Sequence, residues 1–280
     1  MKKISQYILV KLVGLYINVM SYIYPKHAFR LAYRLFSSPR KGKIKSSHIP
    51  KALVRAKHVK HTLDTHTIQT YIWNGNEEVI LLIHGWESNA SRWKKLLKQL
   101  LKTGKTIIAI DGPAHGMSSG KEFNVPLYAE FIHKIASLYA PKALIGHSVG
   151  GNAIAYYQKH YPHEIDRFVL LGAPSDFKII LKNYVTLFGL NRKVYRYLKS
   201  YVQRRFSITI EKFSAAQFVE NIEQAGLIIH DKEDAVVLWE ESNKIASAWP
   251  KAEFVTTRGL GHSLHDAYLY QTIIEFINRN

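Results

Sequence analysis

The sequence predicts an α/β protein built on a doubly wound, mostly parallel sheet. Short apolar runs alternate with segments of helical periodicity between residues 51 and 280. The run Val79–Ile83 is apolar throughout, and Thr106–Ile110 is apolar after its first residue, which is typical of strands buried on both faces of a parallel sheet. A helical cap inserted at about 175–221 and a helical extension at 1–50 complete the predicted architecture.

The first 50 residues are predicted to form a basic helical extension. Residues 4–24 are mostly apolar, with apolar side chains at three- and four-residue steps, which indicates a helix. The stretch approaches the length of a membrane span, but Lys11 near its middle would be costly in hydrocarbon. A helix lying at a membrane interface or packed on the protein is therefore favoured. No small-x-small pattern precedes Pro25, which argues against a signal peptide.

Composition limits the classes of partner and chemistry. The formal net charge is +18, and many cations lie in the first 60 residues and between Lys178 and Lys212. We expect attraction to an anionic membrane surface or an acidic ligand, with charge that only aids solubility as the alternative. No zinc module or RNA-binding aromatic strand is evident, so no nucleic acid is expected. The chain has no cysteine, which excludes disulfides and a cysteine nucleophile.

The elements alternate in the order that a parallel sheet requires. The first half is predicted to hold strands at 53–60, 67–73, 79–83, 106–110 and 143–145, and helices at 91–101 and 125–139. The second half is predicted to hold strands at 168–171, 227–229 and 252–255, and helices through 238–249 and 265–280. The predicted cap interrupts this alternation, because cations and aromatic residues are interleaved there.

One segment joins a predicted strand to a predicted helix with a chemical signature. The run 146–150, Gly-His-Ser-Val-Gly, fits the pattern G-x-S-x-G. This pattern is typical of the nucleophile elbow, a sharp strand-to-helix turn that exposes a serine hydroxyl. Any Cβ at Gly146 or Gly150 would collide with the turn or the departing helix. The helix N-terminus also places partial positive charge where an oxyanion would form. Ser148 is therefore a candidate nucleophile.

With Ser148 followed by Asp234 and then His262, the chain resembles the α/β-hydrolase family over residues 52–280. The resemblance implies the α/β-hydrolase fold and an activity like that of serine esterases and lipases. His262 follows a late strand, and Gly259 and Gly261 allow its backbone to approach the elbow. It would act as the general base that takes the serine proton. His265 is the rival base, although a place on a surface helix suits it better.

The acid is predicted at Asp234. The segment around it resembles the family's strand, acidic loop and Asp-x-x-V pattern, and Asp234 would fix the tautomer of His262. Asp231 and Glu233 are expected to be loop or solvent-facing acids. Asp176, which follows the preceding strand, is the alternative acid.

Two backbone N–H groups are predicted to form the oxyanion hole. One belongs to Val149, directly after the serine, and the other to Trp86, because 84–86 (His-Gly-Trp) resembles the family's HG-x loop. His84 is expected to support this loop rather than react. The loop 111–118 resembles the family's D-x-x-G-x-G-x-S segment, with His115 where glycine is usual, and a structural role is expected for it.

These features together predict a serine hydrolase that cleaves a carboxylic ester or thioester, with a lipid or acyl-chain substrate, through an acyl-enzyme. An amidase, a peptidase or an acyltransferase with the same triad is one alternative, and a non-catalytic membrane-surface binding protein is another. A serine rather than an aspartate in the elbow argues against the haloalkane dehalogenase and epoxide hydrolase branches of the family. No cofactor and no metal are predicted. The predicted location is the cytoplasm or the surface of the cytoplasmic membrane, and the oligomeric state is left open.

Overall fold

The computed structural model describes residues 2–279, so Met1 and Asn280, which fall within the predicted extension and the predicted last helix, lie outside the described residues. The chain forms two compact units. The helical unit comprises the described residues up to Ser38 together with Asp176–Ser214. The sheet unit comprises Pro39–Ser175 and the described residues from Ala215 onward.

The sheet unit is built on one eight-stranded, mostly parallel sheet. Its strands are β1 (Lys57–Leu63), β2 (His66–Trp73), β3 (Val79–Ile83), β4 (Thr106–Ile110), β5 (Ala143–His147), β6 (Arg167–Leu171), β7 (Ala225–Asp231) and β8 (Ala252–Thr257). Their spatial order is β1-β2-β4-β3-β5-β6-β7-β8. The pairs β1–β2 and β2–β4 are antiparallel and all others are parallel, which confirms the predicted fold class.

Ten α-helices are described in the two units. They are α1 (Lys2–Ile23), α2 (Pro25–Ser37), α3 (Lys94–Leu100), α4 (Val125–Tyr139), α5 (Val149–His160), α6 (Phe177–Phe188), α7 (Arg192–Phe206), α8 (Ala215–Val219), α9 (Trp239–Ala248) and α10 (Ala267–Ile277). Helices α1, α2, α6 and α7 belong to the helical unit, and the other six belong to the sheet unit.

Two predicted elements differ from the structure for local reasons. The strand expected at 53–60 begins only at Lys57, because the preceding residues form turns closed by bonds from Leu53 N–H to Pro50 O and from Ala56 N–H to Leu53 O. The helix expected at 91–101 starts as a 3₁₀ turn, Ala90–Trp93, since the Asn89 side chain accepts a bond from Ser91 N–H. Both segments lead into regular structure a few residues later than predicted.

Parallel strands buried on both faces form the centre of the sheet unit. All five residues of β3 are buried, and so are all five of β5. On one face of the sheet, Ile80 and Leu82 lie in the same apolar cluster as Trp93, Leu96 and Leu100 of the following turn and helix. This burial explains why β3 is apolar throughout, and β5 up to its last residue, His147, rather than alternating in polarity.

The helical unit joins the N-terminal extension to the inserted segment in one apolar core. Ile17 of α1 and Ala28 of α2 are fully buried in one cluster with Leu181, Val194 and Leu198 of the inserted helices. The inserted part of this unit ends at Ser214, and α8, within the predicted cap range of 175–221, belongs to the sheet unit. None of the helices described in residues 2–279 has the length and apolarity that crossing a bilayer would require.

The half-buried side-chain amide of Asn18 links α1 to the turn between α6 and α7. Asn18 Nδ2–H donates to Gly189 O at 2.8 Å, and its Oδ1 accepts from Asn191 N–H at 2.8 Å. Asn191 in turn caps α7, because its Oδ1 accepts from Val194 N–H at 2.9 Å. Asn18 is thus positioned to fix the register of α1 on the inserted helices.

Replacing Asn18 by leucine is expected to destabilise the helical unit. Two backbone groups would lose their partner, and each such hydrogen bond contributes about 0.5–1.5 kcal/mol. Asn18→Leu should lower the free energy of unfolding measured in urea, whereas the matched control Asn183→Ala, at an exposed position of α6, should change it little. Equal stability of Asn18→Leu and the wild type would contradict this role.

Candidate active site

Ser148 lies on a strained turn between β5 and α5. Its backbone has φ 55° and ψ −128°, a conformation that costs a non-glycine residue about 1–3 kcal/mol. Its N–H donates to Leu171 O at 2.8 Å, which ties the turn to the end of β6. A Cβ on Gly150 would lie 2.5 Å from Ile83 O, so the close approach of α5 to β3 requires glycine there.

Asp234 and His262 form a hydrogen-bonded pair. His262 Nδ1 lies 2.7 Å from Asp234 Oδ2, and the carboxylate is fully buried while the imidazole is 21 % exposed. The other carboxylate oxygen accepts from Val236 N–H at 2.8 Å and from Val237 N–H at 3.0 Å. Burial by itself raises the pKa of Asp234, but the hydrogen bonds outweigh burial and hold that pKa well below its usual range. The ionised carboxylate therefore accepts the Nδ1 proton, and Nε2 is the ring nitrogen left for the predicted role of base.

The pair and the serine meet at the end of β6. A Cβ on Gly172 would lie 3.5 Å from His262 Nδ1 and 3.6 Å from Asp234 Oδ2, and Gly172 directly follows Leu171, which binds the backbone of Ser148. His147 adds a direct link, since its Nε2–H donates to His262 O at 2.8 Å. Three separate strand ends thus bring the predicted nucleophile, acid and base to one place.

The loop that carries His262 is fixed by buried polar contacts. Asp231 is fully buried and accepts from Thr257 Oγ1–H at 2.7 Å and from Leu260 N–H at 3.0 Å. Of the two roles expected for Asp231, the structure shows the loop role and not the solvent-facing one, because its buried carboxylate closes the turn after β8. Arg92 donates from Nη2 to Ser263 O at 3.1 Å on the other side of the loop.

The loop after β3 lies directly against the elbow. A Cβ on Gly85 would lie 2.9 Å from the Cβ of Ser148, so the backbone there can approach the serine only as glycine. Trp86 follows, with its half-buried ring packed edge-on against His115 at 5.5 Å between centroids. Val149 is the first residue of α5, so its N–H has no carbonyl partner within the helix. Of the two predicted oxyanion donors, Val149 directly follows Ser148, and Trp86 directly follows the glycine that lies against it.

Two buried histidines hold this loop in place. His84 Nε2 accepts from Gly112 N–H at 2.9 Å, and His115 Nε2 accepts from Glu87 N–H at 2.9 Å. Burial is the largest cause that lowers the pKa of His84 to about 4 and that of His115 to about 3, so both are neutral acceptors at pH 7. The histidine that departs from the family pattern at position 115 thus has a structural contact of its own.

Sequence reasoning did not single out His230, which contacts the acid. Its ring is fully buried, with Nε2 3.2 Å from Asp234 Oδ2 and 2.9 Å from Val237 O, while Nδ1 lies 2.6 Å from Ser242 Oγ. The signal in the sequence was a lone histidine at the end of the apolar strand β7. Such a residue needs polar partners once it is buried.

The rival residues have other partners. His265 precedes α10 and is half-buried rather than on a surface helix, and its Nδ1 lies 2.7 Å from Tyr270 Oη. Asp176, the alternative acid, accepts from Ser214 Oγ–H at 2.7 Å. Among residues 2–279, no group of three or more histidine or acidic side chains is placed to hold a metal ion.

A family model described as alpha/beta hydrolase fold matches residues 78–222, just over half of the chain. The chain belongs to the α/β-hydrolase family. Among solved structures it is similar to the mouse alpha/beta hydrolase domain-containing protein 10, with TM-score 0.64 and 17 % identity over 80 % of this chain and 99 % of that one. It is also similar to a putative lipase from Acinetobacter baumannii, with TM-score 0.62 and 18 % identity over 79 % of this chain and 91 % of that one.

Curated relatives match over a shorter region. A monoacylglycerol lipase of Mycolicibacterium smegmatis is 29 % identical over 103 residues, which cover 34 % of this chain and 37 % of that protein. A serine hydrolase-like protein of Danio rerio is 33 % identical over 98 residues, which cover 33 % of this chain and 30 % of that protein. The chain thus spans about a third of the length of these relatives.

Acidification should destabilise the fold through the two loop histidines. Their ordinary pKa of 6.5 applies in the unfolded chain, whereas the folded values are about 4 for His84 and about 3 for His115. Unfolding therefore takes up protons below pH 6.5, and stability falls until the folded values are reached, by about 1.4 kcal/mol per pH unit for each histidine.

The variant His115→Gln should reduce this slope by one proton in urea unfolding measured between pH 4.5 and 6. His48→Gln, at an exposed position, is the matched control. A slope in His115→Gln identical to that of the wild type would show that His115 does not contribute to the loss.

Removing the ring nitrogens of His230 should alter the pH profile of hydrolysis. Without the donor 3.2 Å from its Oδ2, Asp234 would carry more unshared negative charge and favour the protonated form of His262. In His230→Phe the acidic limb of the kcat/KM profile should therefore move to higher pH, with kcat reduced by about tenfold or more. His160→Phe, at an exposed position, is the control, and an unmoved acidic limb in a folded His230→Phe would rule out this influence.

Proposed function

We propose that the protein is a serine hydrolase that cleaves a carboxylic ester or thioester through an acyl-enzyme. Ser148 acts as the nucleophile, His262 as the general base and acid, and Asp234 as the carboxylate that orients His262. The observation that carries the proposal is the 2.7 Å contact of His262 Nδ1 with the buried Asp234, beside the Gly172 backbone that adjoins Ser148.

The steps follow from these positions. Ser148 Oγ attacks the substrate carbonyl carbon while its proton passes to His262 Nε2. The carbonyl oxygen becomes an oxyanion, which accepts hydrogen bonds from the N–H groups of Trp86 and Val149. Collapse of this intermediate breaks the bond to the leaving alcohol or thiol, which takes the proton from His262. A water molecule then attacks the acyl carbon while His262 Nε2 takes its proton. Collapse of this second intermediate breaks the bond to Ser148 Oγ, which takes the proton back from His262, and the carboxylic acid is released.

The preference for a lipid or acyl-chain substrate is the finer part of the proposal. It is supported by the similarity to a protein named monoacylglycerol lipase and by the apolar and basic composition of the helical unit. We propose an anionic membrane surface as the partner, with the protein in the cytoplasm or peripheral to the cytoplasmic membrane. Charge supports this, since residues 1–38 and 176–214 contain 15 of the 39 Lys and Arg and two of the 21 Asp and Glu.

A fluorophosphonate probe tests the nucleophile directly. The wild type should be labelled, and Ser148→Ala should lose the label and reduce ester hydrolysis by more than about 10³-fold. Asp234→Asn should reduce kcat by about 10⁴-fold, because the amide would favour the wrong tautomer of His262. Ser46→Ala, at an exposed position, should be labelled like the wild type.

A folded wild type that resists the probe would contradict the serine-hydrolase proposal. A panel of esters, thioesters and amides with short and long acyl chains then distinguishes the leaving groups. Hydrolysis of short chains alone would contradict the lipid preference, and cleavage of amides in place of esters would identify an amidase.

A further inference from the structure

Helix α1 has one face packed in the helical unit and one face exposed. Gly14, Ile17 and Ser21 are buried on the inner face. The contact there is close, since a Cβ on Gly14 would lie 1.7 Å from Phe188 O. The opposite face is exposed, and its Tyr16 Oη lies 3.2 Å from His27 Nε2 of α2. We call this outer face the α1 stripe; its residues are Ile8, Leu9, Leu12, Leu15, Tyr16, Val19, Tyr22 and Ile23.

The α1 stripe is apolar and carries no charged side chain. Ile8, Leu12, Leu15, Val19 and Tyr22 follow one another at steps of four and three residues, so they lie on one side of the helix. Three further exposed apolar residues widen the stripe: Leu9, Tyr16 and Ile23. All eight side chains are at least 48 % exposed. An exposed apolar surface of this continuity is uncommon on a protein without a binding partner.

Cationic side chains border the α1 stripe near both of its ends. Lys11 Nζ lies 5.4 Å from the Tyr7 ring centroid and donates to Thr186 O at 3.0 Å. Lys193 Nζ lies 4.6 Å from the Tyr22 ring centroid and donates to Ser21 O at 2.7 Å. Lys11 would be costly to bury in the hydrocarbon of a membrane span. In the structure its ammonium group lies beside the stripe and is bound to α6.

This combination fits one kind of surface. Apolar side chains bordered by lysines and tyrosine hydroxyls are typical of helices that lie in the plane of a membrane interface, with the cations among the lipid headgroups. The large excess of cations over acids in the helical unit favours anionic headgroups. It also disfavours a second copy of this chain as the occupant, because pairing would bring two strongly positive units together.

We propose that the α1 stripe docks the protein on a bilayer surface that contains anionic phospholipid, with α1 lying parallel to the membrane. The inference rests on the proposed membrane partner and locates it on named side chains. It does not depend on the hydrolytic activity. Apolar burial would supply part of the affinity, and attraction between Lys11, Lys193 and the headgroups would supply the salt-sensitive remainder.

Co-sedimentation of the full chain with vesicles tests the proposal. The wild type should bind phosphatidylcholine vesicles that contain phosphatidylglycerol, bind pure phosphatidylcholine more weakly, and be released by high salt. Leu12→Glu and Leu15→Glu should each weaken binding by about tenfold or more, because a charge replaces an apolar side chain at the interface. The matched control is Leu138→Glu, a 52 % exposed leucine of α4 in the sheet unit, which should bind like the wild type.

Each result has one meaning. If the wild type binds vesicles but Leu12→Glu and Leu15→Glu bind equally well, the docking face is wrong and the membrane partner remains. If the wild type binds no anionic vesicle, both fail. A concentration-dependent dimer that these two variants abolish would show instead that the stripe binds a second copy. Fluorophosphonate labelling without vesicles should be the same in all variants, which separates docking from hydrolysis.

Discussion

The site depends on the strained backbone of Ser148. Its positive φ exists because β5, α5 and the loop after β3 approach one another more closely than any side chain at Gly85 or Gly150 would allow. The turn is held from outside, by the bond from Ser148 N–H to Leu171 O. Backbone strain of this kind persists only where the surrounding structure fixes it.

Buried carboxyl groups hold the other loops of the site in position. Asp111 accepts from Ala90 N–H at 2.9 Å and from Met117 N–H at 2.8 Å, which connects the loops after β3 and β4. Asp231 performs the same task for the loop of His262. Each carboxyl group has two acceptor oxygens, so a single aspartate can hold two irregular segments.

The helical unit illustrates a different constraint. Two segments separated by more than 130 residues of chain share one apolar core, in which Ile17, Ala28 and Leu198 are fully buried. The sequence predicts them as a separate extension and cap, each with its own amphipathic pattern. Each pattern contains an apolar face for the other, and the uncharged outer face of α1 is what remains after that pairing.

The sequence by itself determined the fold class and the identity of the candidate triad. Continuous apolar runs predict strands buried on both faces, and G-x-S-x-G between a strand and a helix predicts the elbow, because both are local properties of spacing. It could not determine that Asp231 is buried, that His230 contacts Asp234, or which face of α1 is exposed.

Those features depend on which distant segments meet. His230 and Ser242 are brought together by the packing of α9 on β7, and the face of α1 that becomes buried is set by contacts with residues near position 188. A pattern in one segment states what a side chain requires, such as a partner for a buried ring nitrogen. Only the tertiary structure decides which residue supplies it.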